Sequence, residues 1–392
     1  MAGSQPSTLR PITLEVARSL IAPWLASKMG SRDLEIVALR SAGAGSSAET
    51  HIATIRGTID GAQRELGVVL RRQNNDSDLF LESSLELPCL AMQAVGRVCA
   101  GQIPVPRVLG LELDPALLGA PFMVMEQLSG RIIAQSPNYN REGWLAELPL
   151  EQRAAVWTHA LEMLARIHRV DISHGFEFLD RPARGARGLP QYLHWVEEWY
   201  TWARAGRPHR VTDVAIRHLQ SKRPADAAIG LLWGDPQSSN FLFGPDGTVT
   251  GVIDWEMATL GPPEVDLAWW LFFDDLFSTG MGVPRLAGLP DRASCIAIYE
   301  RQLGRRVQHM EYYGLLAAFR MAIIGMRSVD RQIQRGIVPA TTTARENAPI
   351  VRLLAQMLGE PLPEVGSDFH QYMGTLGMAA SLANEGDKRR GG

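Results

Sequence analysis

The sequence predicts an α+β fold in two unequal lobes, a small β-rich lobe first and a larger, mainly helical lobe after it. Three observations carry this expectation. The chain has 392 residues, more than one hydrophobic core usually serves. Short runs of β-branched residues separated by glycine turns fill residues 34–73, whereas most segments with helical spacing lie beyond residue 150. The expected division is an N-lobe over 1–128 and a C-lobe over 129–383, with 384–392 as a tail expected to be disordered.

Composition narrows the function classes. Apolar residues make up 46% of the chain, as in ordinary soluble domains, and the formal charge is -3. No basic excess argues for nucleic acid or for a membrane surface, so small molecules are the expected partners. The three cysteines, Cys89, Cys99 and Cys295, have neither CxxC nor Cys/His spacing, which argues against a disulfide framework and a zinc site. The first thirty residues lack a signal-peptide pattern. The longest apolar run, LAWWLFF after Asp266, is too short to span a bilayer and ends in Asp274 and Asp275. A cytoplasmic location is the expectation.

In chain order, residues 13–28 place Leu14, Val16, Leu20, Ile21, Trp24 and Leu25 near helical spacing, interrupted by Pro23, and predict a helix packed on the first lobe. Residues 34–57 read as strand, glycine turn, strand. In the turn Gly43 and Gly45 carry no Cβ, so backbone N–H groups and the hydroxyls of Ser46 and Ser47 can approach phosphates. The same letters approximate the dinucleotide pattern Gly-x-Gly-x-x-Ala, which requires a helix to follow. Thr50, Ile52, Thr54 and Ile55 follow instead, which favours a glycine-rich flap; a plain hairpin turn is the alternative.

GVVLRRQ, residues 67–73, predicts a third strand ending in cations. Residues 80–99 read as helical beyond Pro88, and PFMVME as a buried strand near the close of the first lobe. EQRAAVWTHALEMLARIHRVD, residues 151–171, is an amphipathic helix in which His168 reads as a structural hydrogen-bonding residue. The nine histidines show no HExxH spacing. Residues 181–224 follow, rich in aromatic residues, arginines and histidines. The last helical segments include YYGLLAAFRMAIIGMR, expected to be buried nearly all round.

The chemistry concentrates in LLWGDPQSSNFLFGPDGTVTGVIDWE, residues 231–256. Apolar runs flank the turn signal from Gly244 to Gly247, which predicts a strand pair closed by a tight loop. That hairpin brings Asp235, Asn240 and Asp254 to one end. Two carboxylates and an amide suit Mg²⁺, which takes oxygen ligands and shares them with substrate phosphates. Phosphoryl transfer needs such a centre, because its catalysis is mostly positioning and charge neutralisation.

The order Asp, four residues, Asn, then Ile-Asp-Trp-Glu resembles the kinase-like phosphotransferases, most of all the aminoglycoside phosphotransferase and choline kinase branch. The likeness runs from about residue 34 to residue 355. It implies a protein-kinase-like two-lobe fold, ATP and Mg as cofactors, and a small-molecule hydroxyl as acceptor. On this resemblance Asp235 would be the catalytic base, and Asn240 and Asp254 would hold the metal. Arg71 stands where the family's strand Lys holds phosphates, with Glu86, or alternatively Glu82, as its carboxylate partner. Glu126 to Leu128 would be the hinge that meets the adenine edge, and Asp266 would brace the catalytic loop. The short interval from Asp254 to Asp266 leaves no room for a peptide-docking activation segment. The insert at 181–224 would cover the acceptor.

Two residues depart from the pattern. Trp233 stands where the family usually has His, and Gln237 where protein kinases carry Lys. Three functions stay open: a kinase of a metabolic hydroxyl such as a hydroxyacyl-CoA, an aminoglycoside phosphotransferase, and a catalytically silent nucleotide-binding scaffold. The basic, aromatic insert favours the first. The sequence also looks similar to the kinase-like domains joined to some acyl-CoA dehydrogenases. Oligomeric state is not legible.

Overall fold

The structure is a computed structural model that describes residues 9–44, 48–73 and 79–364. Its first lobe is a five-stranded antiparallel sheet in the order β1-β2-β3-β5-β4 with helices on both faces. A helical stretch of Leu14–Val16 and the π turn Ala17–Ile21 leads into α1 (Ala22–Met29). Pro23 follows directly on the π turn, where the helical ladder is already interrupted and a residue without an N–H is tolerated. Next come β1 (Glu35–Ala44), β2 (Ala48–Ile59) and β3 (Ala62–Gln73). Then α2 (Glu86–Cys99), β4 (Val108–Glu112) and β5 (Phe122–Glu126) complete the lobe.

Helix α2 corrects one expectation. It begins at Glu86 and carries Pro88 within its first turn, where the ring disturbs nothing. Alternation along β5 buries both its faces: Phe122 and Val124 pack with Leu25, Ile55 and Leu70, while Met123 and Met125 pack with Met92 and Val95 of α2.

The second lobe holds α3 (Leu150–His168), α4 (Leu189–Arg204) and α5 (Arg210–Ser221), then the short strands β6 (Gly230–Leu232), β7 (Phe241–Phe243), β8 (Val249–Val252) and β9 (Thr259–Gly261). Helices α6 (Glu264–Phe277), α7 (Arg292–Leu303), α8 (Met310–Gln334) and α9 (Pro349–Leu358) complete it. The insert region forms α4 and α5.

The expected strand pair is half of what forms. β7 and β8 make the hairpin around Gly244–Gly247, but Leu231 and Leu232 pair with Leu260 and Thr259 of β9. Ile253 N–H donates to Asn240 O at 3.0 Å, which ties the two ends of the motif together. The apolar run of α6 is core: Trp269 and Trp270 are buried, and Trp270 packs at 4.8 Å from the Trp157 ring. No described helix is long and apolar enough to cross a membrane. The tail beyond Asn384 lies outside the described residues.

Candidate active site

The loop between β6 and β7 is fixed from below. Asp266, fully buried at the start of α6, accepts from Trp233 N–H at 2.8 Å and from Gly234 N–H at 3.2 Å. His168 Nε2 lies 3.1 Å from the same carboxylate, with Tyr299 hydroxyl on its other ring nitrogen at 2.5 Å. A buried carboxylate surrounded by donors in this way is a rigid anchor rather than a reacting group. The expected structural parts for Asp266 and His168 match this geometry.

Trp233 uses its indole to hold the second motif. Its Nε1–H points between Ile253 O at 3.0 Å and Asp254 O at 3.1 Å, while the ring packs edge-on against Phe241. Gly234 has a φ of 93°, and a Cβ there would sit 2.1 Å from Met257 O. Gly234→Ala is therefore expected to destabilise the fold by at least ~1–3 kcal/mol through backbone strain alone, read as a lowered urea midpoint; an unchanged midpoint would show that the loop relaxes freely.

Above that floor the predicted residues converge. Asp235 Oδ1 accepts from Trp269 Nε1–H at 2.7 Å. Its Oδ2 accepts from Gln237 Nε2–H at 2.6 Å and Asn240 Nδ2–H at 2.9 Å. A carboxylate oxygen has two acceptor sites, so Oδ1 keeps one for a further donor. Burial, and then the charge of Asp254, push the Asp235 carboxyl up to about 6 against the pull of these donors.

Asn240 spends its N–H groups on Asp235, which leaves Oδ1 as a ligand oxygen. Asp254 has a φ of 62°, a left-handed conformation outside the usual range for a non-glycine residue. Arg71, projecting from β3, reaches Asp254 Oδ1 at 3.2 Å and Glu256 Oε2 at 3.5 Å. Burial works against the Arg71 charge, but Asp254 and Glu256 outweigh it and raise its pKa. Among the described residues no cluster of three His, Cys, Asp or Glu side chains could hold a metal. The donor set of Asn240 and Asp254 fits a hard cation that completes its shell with phosphate oxygens and water.

Other expected site residues lie differently. Glu86 is exposed at the start of α2 and does not meet Arg71, whose carboxylate partners come from the Ile-Asp-Trp-Glu segment. Glu82 turns instead to Arg184, at 2.5 Å. At the hinge, Glu126 N–H is taken by Arg107 O and Gln127 N–H by Gly67 O, while Leu128 N–H has no acceptor among the described residues. The Glu126 carboxylate is bound to Arg107 at 2.7 Å. Gly43 is the penultimate residue of β1, opposite Thr50, and Gly45, Ser46 and Ser47 lie outside the described residues.

Sequence reasoning missed Trp269, Gln135 and Arg320. Gln135 Nε2–H donates to Gln237 Oε1 at 2.5 Å, so Gln237 relays the segment after the hinge to Asp235 rather than offering a cation. Only Arg320 carried a signal, as a lone cation within the apolar run YYGLLAAFRMAIIGM.

Beside this cluster a pocket opens between the lobes. Phe80, Leu85, Leu179, Trp195 and Met257 supply its apolar wall, and Arg71, Arg181 and Arg184 stand there against Glu82 and Glu256.

Comparison with known proteins agrees with this picture. The family model described as "Phosphotransferase enzyme family" matches residues 65–298. The chain is 31% identical over 176 residues to the "Probable acyl-CoA dehydrogenase" of Arabidopsis thaliana, covering 43% of this chain and 20% of that protein. It is 26% identical over 366 residues to acyl-CoA dehydrogenase family member 10 of Mus musculus, covering 90% of this chain and 32% of that one. The chain therefore spans a third or less of the length of these relatives. Among solved structures, a "putative aminoglycoside phosphotransferase" from Ralstonia eutropha superposes with a TM-score of 0.62 at 20% identity, over 88% of this chain and 97% of that one. A thermostable mutant of an aminoglycoside phosphotransferase, solved with ADP and hygromycin B, superposes with a TM-score of 0.51 at 17% identity, over 88% and 99%. These likenesses establish the kinase-like fold.

Proposed function

From the premise that this chain belongs to the phosphotransferase enzyme family, we propose that it is a small-molecule kinase acting on hydroxyl groups, with Mg·ATP as its donor and a metabolic hydroxyl, such as that of a hydroxyacyl-CoA, as its acceptor. The observation that carries the donor reading is the convergence of Asp235, Asn240, Asp254 and Arg71 on one end of the cleft between the lobes. The solved relative with bound ADP supports ATP as the nucleotide.

In this reading Asp235 Oδ1 receives the proton of the acceptor hydroxyl, whose oxygen attacks the γ-phosphorus as the bond to the β–γ bridging oxygen breaks. Trp269, Gln237 and Asn240 hold the carboxylate in place for that contact. Asn240 Oδ1 and Asp254 would hold Mg²⁺, which neutralises charge on the phosphates when bound. Arg71 leaves the carboxylates it meets here far enough to contact the phosphates that are not transferred. Leu128 N–H would meet the adenine edge, with the backbone carbonyl of Glu126 as its counterpart. Gly43, Gly45, Ser46 and Ser47 would form the flap over the phosphates.

The acceptor reading rests on the pocket wall. With Arg71 held by Asp254 and Glu256, and Arg184 by Glu82 and Glu198, the wall offers Arg181 among aromatic and aliphatic side chains, which suits an apolar body with an anionic group better than a polycation. The relatives that carry acyl-CoA dehydrogenase names support a thioester acceptor. The test is kcat/KM for Mg·ATP turnover on hydroxyacyl-CoAs and on aminoglycosides. Preference for the thioesters is expected; preference for aminoglycosides would replace the acceptor reading. Nucleotide binding without turnover on either pool, together with no ATP hydrolysis, would favour a silent scaffold.

Turnover should also depend on pH. The base acts ionised, so activity is expected to be full above neutrality and to fall as pH drops through about 6, where Asp235 takes up its proton. A bound cation offsets the Asp254 charge and moves this limb to the same pH or lower. A kcat profile flat from pH 8 to well below the usual carboxylate range (~4) would contradict Asp235 as base.

A further inference from the structure

The C-lobe core contains a cation that the chemistry described so far does not use. Arg320, on α8, is 1% exposed. It forms no ion pair within 4.0 Å among the described residues, although its charge acts on the Asp235 carboxyl through space. A guanidinium removed from water in this way is costly and calls for compensation. Its surroundings supply it with a carbonyl, the Met257 sulfur and two aromatic faces. Nη2 donates to Gly234 O at 2.9 Å. The guanidinium carbon lies 4.2 Å from the centroid of the Trp269 ring and 5.9 Å from that of Tyr192, within cation–π range. Nε and Nη1 have no hydrogen-bond partner among the described residues, so aromatic faces take the place of acceptors.

Both contacts lead to the same carboxylate. Gly234 immediately precedes Asp235 in the loop, and Trp269 donates its indole N–H to Asp235 Oδ1 at 2.7 Å. Arg320 therefore grips the loop backbone just before the base and the ring that orients the base. A purely apolar residue would fill the space but hold neither.

We propose that Arg320 is a positioning residue for phosphoryl transfer, a buried cation that sets the orientation of the Asp235 carboxylate through the Gly234 carbonyl and the Trp269 indole. This rests on the reading of Asp235 as the base, so its test includes a readout that does not depend on turnover. In Arg320→Met the side chain keeps its approximate volume and loses its charge and donors; Arg320→Lys keeps the charge. The two variants and the wild type are compared by kcat and KM for Mg·ATP turnover, and by the ¹H–¹⁵N resonance of the Trp269 indole N–H, assigned by its disappearance in Trp269→Phe.

The expected result is a kcat lower by about 10²-fold in Arg320→Met, with KM for Mg·ATP unchanged. The Trp269 resonance moves while the other indole resonances stay, and Arg320→Lys restores the resonance and part of kcat. Unchanged kcat, or an unmoved Trp269 resonance in a folded Arg320→Met protein, overturns the proposal. Where Arg320→Met does not fold, Arg320→Gln takes its place under the same two readouts and the same outcomes, and wild-type kcat in Trp269→Phe overturns the proposal. Where the wild type turns over no acceptor, the proposed function fails first, and the Trp269 resonance alone decides the positioning of Asp235.

Discussion

Asp254→Asn is expected to lose Mg-dependent turnover by about 10²–10³-fold or more, the cost of removing one preorganised group that meets developing charge. The substitution keeps the shape of the side chain and removes the charge that a cation at this position requires. It also removes the ionic partner that holds Arg71 at 3.2 Å, leaving that guanidinium to Glu256. Mg²⁺ titrated against a non-hydrolysable ATP analogue, followed by calorimetry, separates the two effects. Nucleotide affinity should no longer rise with Mg²⁺ in the variant, while the fold is retained with a lowered melting temperature, because Glu256 remains for Arg71 and Trp233 holds the backbone of Asp254. Retained Mg-dependent affinity and full activity would remove Asp254 from the metal site.

Asp235→Asn is expected to reduce kcat by roughly 10²–10⁴-fold, the usual contribution of a positioned general base, and to leave nucleotide affinity unchanged. The reason is local hydrogen bonding. In the wild type both carboxylate oxygens accept, Oδ1 from Trp269 and Oδ2 from Gln237 and Asn240. An amide at this position must turn its NH₂ towards one set of donors, so the variant loses the base and also disturbs its frame. Paired measurements of kcat and of Mg·nucleotide affinity test this. Equal losses in both would mean that Asp235 supports the metal site and is not the base.

Much of this site was legible because its chemistry is local in sequence. Asp235, Asn240 and Asp254 lie within twenty residues, and a hairpin with a clear turn signal can only bring them together. Arg71 was legible only through the family resemblance, as the residue at the place of the strand Lys. Its partner was not. Glu86 starts a helix whose next turns, through Cys89 and Met92, face the sheet, and this leaves its own side chain in solvent. The guanidinium instead meets the carboxylates that tertiary packing delivers, Asp254 and Glu256.

The remaining omissions are also tertiary. Trp269 reads as one apolar letter among seven, and only the packing of α6 under the loop turns its N–H towards Asp235. Trp233 breaks the family's usual choice of His, yet the indole N–H can donate to backbone carbonyls as an imidazole N–H does, and here it bridges two of them. Gln237, which looked like a missing cation, is a link between Gln135 and the base. Strand β9 was overlooked because three residues cannot show a period.

³¹P NMR of the reaction mixture decides whether this chain moves a phosphoryl group from ATP to a hydroxyl. The full chain is incubated with Mg·ATP and the hydroxyacyl-CoA pool, with Asp235→Asn as control. The expected result is a phosphomonoester resonance that grows as the γ-phosphate of ATP declines, requires Mg²⁺ and is absent from the control. A γ-phosphate that stays intact, or that leaves only as inorganic phosphate with this pool and with aminoglycosides alike, while the folded protein binds Mg·ATP, would contradict it.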